Sequence, residues 1–222
     1  MKKTVFILSF FFLNFISFSQ ESEFKIQKNI YERSKTYNDP EVSIGALYKM
    51  IALQPNNLAL LDSLLREYVG ISRWPSAYMV SREILSRSSE NLFALEISCI
   101  ALQNLGLKQQ SLNEYETLYL KTERIDVLYT IAFLQYELKN YNESMNNLDI
   151  LLKNELTKSL KVNANKNDNT TQEIEMQSQL YYLKGIIYEE KNDIENAKIQ
   201  FNKAITLSPD FENAIKKLNL IN

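Results

Sequence analysis

The chain has 222 residues, of which 25 are basic and 27 acidic, so its formal net charge is −2. Because a nucleic-acid partner requires a basic surface for its phosphates, this balance argues against one. The chain contains no histidine, the commonest general base and metal ligand, and we therefore expect no enzymatic activity, no cofactor and no metal.

An export signal is predicted over residues 1–19. Two lysines precede an apolar run at 5–18, which is shorter than the roughly 20 residues that cross a bilayer. Ser17 and Ser19 place small residues where a signal peptidase requires them, so we expect the mature chain to begin at Gln20. No cysteine follows this point directly, and no second apolar run occurs downstream. The sequence therefore predicts an exported protein, periplasmic or secreted, that is not a lipoprotein and has no membrane span in its mature chain.

A helix-turn-helix pattern then recurs along the chain with a period of about 34 residues. In each copy, small or apolar residues at helical spacing follow one face of a first helix and then one face of a second. The four glycines and four prolines are too few for a many-stranded sheet, which agrees with helices throughout. The copies are, in chain order, 24–57, 58–91, 92–124, 125–158 and 178–211.

The first four copies share the same packing positions with different regularity. In the copy at 24–57, the second helix fits the pattern and the first helix fits it poorly. The third copy carries the single cysteine, Cys99, at a packing position, so we interpret it as structural rather than reactive. The predicted packing residues are Ser43, Leu47, Met50, Leu61, Leu65, Tyr68, Ala77, Ser81, Ile84, Leu95, Cys99, Leu102, Ser111, Tyr115, Leu118, Leu128, Ala132, Gln135, Ser144, Leu148 and Leu151.

A polar insertion, residues 159–177, interrupts the repeats before the last copy. Its stretch 163–171 is rich in asparagine and has no apolar period, so we expect a loop. The alternating asparagines are similar to the first ligands of a calcium loop, but Asp168 stands where that loop requires glycine. The insertion is therefore predicted to be a solvated loop without a cation.

The copy at 178–211 is the most complete. Small residues at Gly185 and Ala197 allow its two helices to approach closely, and Pro209 ends the second helix. The order aromatic, Gly, Tyr, Ala, Phe, Ala, Pro is carried by Tyr181, Gly185, Tyr188, Ala197, Phe201, Ala204 and Pro209. This order resembles the tetratricopeptide repeat, from which Lys184 departs by standing where a leucine is usual.

The resemblance implies an all-α fold, a right-handed α-solenoid of about five stacked hairpins in a bacterial exported protein. We expect residues 212–221 to form one more amphipathic helix that caps the last hairpin. In this family the first helix of each hairpin lines a concave groove that binds a peptide or a helix of another protein. The resemblance thus implies an exported interaction scaffold whose partner is a segment of an envelope protein.

The predicted partner-binding residues lie between the packing positions of the first helices. Aromatic residues increase toward the fourth and fifth copies, where we expect the strongest binding. One subfamily holds chaperone C-termini with a clamp of Lys, Asn and Arg, which is absent because those places hold Asp62, Glu96 and Tyr129. The predicted groove residues are Asp62, Arg66, Phe93, Glu96, Ile100, Gln103, Tyr129, Phe133, Tyr136, Tyr182, Ile186 and Glu189.

Two alternatives are left open by the sequence. A shift of one residue in the register of the fourth copy would move Tyr129, Phe133 and Tyr136 from the groove into the core. An alternative function is a structural subunit or assembly platform of an envelope complex, which packs through its convex face or through the insertion 159–177.

Overall fold

The computed structural model describes residues 20–166 and 170–221 of the chain. The predicted export signal, 1–19, lies outside these residues. The described part is mostly helical and divides into two compact units, with the boundary between Leu107 and Lys108. Within the described ranges, every helix is too short or too polar to cross a bilayer.

The first unit is helical throughout its described part. Its helices are α1 (20–36), α2 (Pro40–Leu53), α3 (Leu58–Gly70), α4 (Trp74–Arg87) and α5 (Leu92–Asn104). Consecutive helices from α2 to α5 pack around a core that includes Leu47, Leu65 and Ala77. Asn57 and Asn91 begin α3 and α5, because their side chains accept hydrogen bonds from N–H groups that no helical carbonyl can reach.

One backbone turn recurs in all five predicted hairpins. After each first helix, a backbone N–H group donates to the carbonyl group five residues earlier. The residue just before the donor has a positive φ, and this arrangement is a Schellman motif. The first three acceptors lie 34 residues apart. The interval before the last acceptor is the longest, because it contains the insertion. The local geometry therefore repeats with the period of the sequence. The acceptors are Ser34, Tyr68, Leu102, Gln135 and Tyr188, with N···O distances of 2.8 to 2.9 Å.

The second unit adds a small sheet to its helices. It contains α6 (Lys108–Thr122), α7 (Ile125–Glu137), α8 (Tyr141–Lys153), a 3₁₀ turn (Glu155–Lys158), β1 (Lys161–Asn165), β2 (Thr171–Glu175), α9 (Met176–Glu190), α10 (Ile194–Leu207) and α11 (Glu212–Ile221). One of its core clusters joins α7, α8 and α9 through Leu128, Leu148, Leu180 and Leu183.

The last hairpin packs as its sequence predicts. Ala197, Phe201 and Ala204 on α10 are fully buried where α10 meets α9. At the end of α10, Phe211 and Ala214 are also fully buried, so that α11 covers this end of the unit as the predicted cap. The expected fold of stacked helix-turn-helix repeats is therefore confirmed.

Lys184, which departs from the repeat pattern, is buried. Its ammonium group forms an ion pair with Asp149 on α8, so the long side chain spans from the last hairpin to the preceding one. The lysine side chain is 11% exposed and the aspartate side chain 49%. A buried charge is tolerated at this position because a carboxylate neutralises it.

The insertion differs from the expected loop. Strands β1 and β2 form an antiparallel pair in which Val162 lies opposite Ile174 and Lys161 opposite Glu175. Ala164 and Ile174 are buried against the α11 end of the unit, in a cluster with Phe211. Alternate residues of each strand face this cluster, but the apolar alternation is too short to stand out among the asparagines. The apolar residues on one face hold the hairpin against the repeats.

Candidate functional site

The second unit contains an open pocket, with a volume of about 540 Å³, on the face formed by α7 and α9. We call it the aromatic pocket. Five of its residues belong to the predicted groove set: Phe133, Tyr136, Tyr182, Ile186 and Glu189. The complete lining is Phe133 and Tyr136 of α7, Gln179, Tyr182, Leu183, Ile186, Glu189 and Glu190 of α9, and Lys217 of α11.

The register of α7 places its aromatic residues beside the core rather than inside it. The predicted packing residues Leu128, Ala132 and Gln135 are at most 6% exposed. Tyr129, Phe133 and Tyr136 are half-buried, and they contact the core cluster of the unit while remaining partly open. The one-residue shift that would have buried them is therefore not the register that the structure shows.

Helix α9 supplies the floor of the pocket because its spacing aligns six side chains on one face. Gln179, Tyr182, Ile186 and Glu189 follow each other at intervals of three or four residues, which is one stripe of an α-helix. Ile186 is only 8% exposed, and the ring of Tyr182 packs at 5.1 Å from that of Phe211. The middle of the stripe is therefore apolar, and the packing of Tyr182 against Phe211 supports it from the core side.

Glu190 lies at the end of α9 and receives two tyrosine hydroxyl groups. The hydroxyl of Tyr136 donates to Oε1 of Glu190 at 2.9 Å, and that of Tyr141 donates to Oε2. The hydrogen bond from Tyr141, helped by that from Tyr136, lowers the pKa of Glu190 despite partial burial of the carboxylate. Burial, followed by the hydrogen bond to Glu190, raises the pKa of Tyr136. At neutral pH these three groups are therefore one carboxylate and two neutral phenols.

A second carboxylate is neutralised within the pocket. Glu189 accepts from the ammonium group of Lys217 at 2.8 Å, which ties α9 to α11. Burial first, and then the charge of Glu189, raise the pKa of Tyr182. The lining therefore carries two carboxylates and one ammonium group, and its negative end is the C-terminal end of α9.

At the opposite end of the pocket, the side chain of Gln179 is only partly satisfied. Burial raises the pKa of Tyr129, and a hydrogen bond between the side chains of Tyr129 and Gln179 opposes that shift. The Oε1 atom of Gln179 is buried and has no hydrogen-bond partner among the described residues. A buried acceptor without a hydrogen-bond partner costs about 1–3 kcal/mol of stability.

The predicted groove residues of the first unit form a separate set of contacts. The guanidinium group of Arg66 lies over the ring of Phe93, 4.1 Å from its centroid. Asn91 donates to a carboxylate oxygen of Asp62 at 3.5 Å. Ile100 packs against the core of this unit, and the remaining two predicted residues, Glu96 and Gln103, are half-buried on α5.

Four lining residues of the aromatic pocket lie outside the predicted groove set, namely Gln179, Leu183, Glu190 and Lys217, and so does Tyr141, which donates to Glu190. Glu190 comes directly after the predicted residue Glu189, and the i, i+3, i+4 spacing of α9 could have identified it. Lys217 lies in the stretch 212–221, which was predicted only as a cap, and Tyr141 was not assigned to the groove. Neither carries a local signal for the pocket, since both arrive there through tertiary packing.

Comparisons with known proteins agree with this fold. Residues 178–211 match the family model of the tetratricopeptide repeat. No curated protein is similar in sequence. A crystal structure of the MamA protein is similar with a TM-score of 0.65 and 16% identity, over 85% of this chain and 93% of that chain. A MamA structure from Desulfovibrio magneticus RS-1 is similar with a TM-score of 0.63 and 12% identity, over 86% and 97% of the two chains.

A third similar structure is that of YrrB, described as a tetratricopeptide-repeat protein with an unusual peptide-binding site. Its TM-score is 0.65 at 15% identity, over 85% of this chain and 88% of that chain. Similarity at these identities establishes the fold. Residues 178–211 thus match a tetratricopeptide repeat, and the chain has the fold of stacked repeats of this kind.

Proposed function

We propose that the protein is an exported scaffold that binds a peptide or a helical segment of an envelope protein at the aromatic pocket, without catalysis. The observation that carries the proposal is the pocket itself, with half-exposed aromatic side chains over a volume of about 540 Å³. Aromatic side chains that lose their contact with water on binding contribute a large share of the binding energy at protein interfaces. Peptide binding by YrrB, a protein of similar fold, supports the same mode of action.

The length of the α9 stripe sets the length of the segment that can lie along it. The stripe from Gln179 to Glu190 contains twelve residues of helix, and the distance between its ends is roughly 16 Å at the usual rise of an α-helix. An extended peptide of about five residues has that length. Because the chain contributes a rigid floor, binding requires little rearrangement of the scaffold.

The proposal is tested by a binding experiment on the mature chain, residues 20–222. A displayed library of random peptides is selected on the wild-type protein, and enriched peptides are then measured on Phe133→Ala. We expect at least tenfold weaker binding, because a buried aromatic anchor contributes about 2 kcal/mol or more. Tyr119→Ala is the matched control, since Tyr119 is half-buried against the same core cluster but lies outside the pocket. Equal loss in both variants, or no enrichment at all, would contradict the proposal.

Export is tested separately. Residues 1–19 are fused to a reporter enzyme that is active only outside the cytoplasm, and the reporter activity is compared with that of a fusion lacking them. We expect activity only with residues 1–19, and a mature N-terminus at Gln20 by mass spectrometry. Reporter activity without these residues would exclude the predicted signal.

A further inference from the structure

We infer that the aromatic pocket takes a basic side chain, Arg or Lys, of the bound peptide at its Glu190 end. This inference rests on the proposed function, which it deepens by naming the chemistry of the partner. Three independent features of the second unit support it: the rings at this end, the state of the carboxylate, and the orientation of two helices.

The rings supply the first feature. Phe133 and Tyr136 lie 6.2 Å apart and are tilted by 50°, and the ring of Tyr141 follows at 6.3 Å from Tyr136. A cation above such rings is attracted by their electron-rich faces. The first unit contains a cation–π contact of this kind, in which the guanidinium group of Arg66 lies over the ring of Phe93.

The carboxylate supplies the second feature. Each oxygen of Glu190 accepts one phenolic hydroxyl, which leaves lone pairs for a further donor. Glu190 is exposed and forms no ion pair among the described residues. Lys139 and Lys217 are near enough to favour its charged form, but Lys217 is bound to Glu189. A guanidinium or ammonium group from the partner would complete this site.

The helices supply the third feature. Tyr136 and Glu190 lie in the last turns of α7 and α9, so their hydrogen bond brings the C-terminal ends of both helices together. A helix C-terminus carries a partial negative charge and favours a nearby cation. The same field disfavours a carboxylate, so a peptide C-terminus is the wrong ligand for this end.

The test uses a library of random heptapeptides with blocked termini, selected on the wild-type protein and on Glu190→Gln. We expect enriched peptides to share an Arg or Lys on the wild-type protein and to lose this preference on Glu190→Gln. For one enriched peptide, replacing its basic residue with Gln should weaken wild-type binding about three- to tenfold and leave binding to Glu190→Gln nearly unchanged. Glu116→Gln, the same change on the exposed side of α6, is the control and should keep the preference.

Each outcome has a clear consequence. Enriched peptides without a basic residue, or with an acidic one, that still require Phe133 would overturn the cationic site and leave the peptide-binding function intact. An equal effect of Glu190→Gln and Glu116→Gln would also overturn it, since the effect would then be one of net charge. No enrichment on a protein with an unchanged thermal transition would overturn the binding function and this inference together.

Discussion

The ring of Phe201 occupies the space that a side chain at position 185 would need. A Cβ atom added to Gly185 would lie 2.5 Å from Cε1 and 2.6 Å from Cδ1 of Phe201. Phe201 is fully buried, so its ring cannot swing into solvent to make room. The absence of a side chain at one residue therefore allows α9 and α10 to pack closely.

We predict from this contact that Gly185→Ala destabilises the protein by about 1–3 kcal/mol, the usual cost of overpacking a core. Gly70→Ala is the matched control, because a Cβ atom at Gly70 meets nothing within 4 Å. It should leave the free energy of unfolding unchanged or raise it by up to about 1 kcal/mol. Urea denaturation of both variants measures the difference, and equal stabilities would show that the close approach is not required.

The buried ion pair between Lys184 and Asp149 leads to a second prediction. Asp149→Ala should destabilise the protein by about 1–2 kcal/mol, because it leaves a buried ammonium group without its partner. The value lies below that of a fully buried pair, since the Asp149 side chain is 49% exposed.

Replacing Lys184 should destabilise the protein less than replacing Asp149. Lys184→Met keeps the length of the side chain and leaves only a half-exposed carboxylate, which water can solvate. Thermal melting of the two variants at low and high salt compares them. A larger loss of stability for Lys184→Met than for Asp149→Ala would show that the lysine charge is itself favourable at this position.

The tyrosine hydrogen bonds to Glu190 lead to a prediction about pH. Glu190 has a pKa below its ordinary value of 4.5 in the folded protein, so it stabilises the fold at higher pH. That contribution is lost as the pH falls from about 4.5 through the lowered pKa. Tyr141→Phe removes the largest cause of the shift, and the pKa of Glu190 should then rise toward 4.5.

Carbon-13 NMR titration of the Glu190 carboxyl group measures this change directly. Tyr181→Phe is the control, because Tyr181 is a half-buried tyrosine on the same helix whose ring lies under the ammonium group of Lys203. An unchanged pKa in Tyr141→Phe would mean that the hydroxyl of Tyr141 does not hold Glu190 in its charged form.

The packing of the β-hairpin leads to a fourth prediction. Ile174→Ala should destabilise the second unit by about 2–4 kcal/mol, because Ile174 is 2% exposed against Phe211 and its neighbours. Asn163→Ala changes an exposed residue of the paired strand and should alter stability by less than about 0.5 kcal/mol. Hydrogen exchange of the β1 and β2 amides, together with denaturation, checks both. Equal, small effects would indicate that the insertion behaves as a free loop.

The sequence by itself determined the repeats of this protein. Helical periodicity, the small residues Gly185 and Ala197 and the recurring turns are short-range features, since each depends on residues within one hairpin. The packing residues of α7, including Ala132 and Gln135, were likewise identified correctly from spacing alone. The predicted groove residues Phe133, Tyr136 and Tyr182, which line the aromatic pocket, follow from the same periodicity, because positions beside a packing stripe are defined once the stripe is known.

Only the tertiary structure decided what those repeats bring together. The insertion folds because Ile174 packs in a cluster with Phe211, which is distant in the sequence. Without that contact, the two short strands would be only marginally stable. The charge of the aromatic pocket likewise depends on Tyr141 and Lys217, which come from α8 and α11 to meet Glu190 and Glu189 on α9. Such groups have no shared period along the chain. Their positions follow from how helices pack, and the chemistry of the candidate site is set at that level.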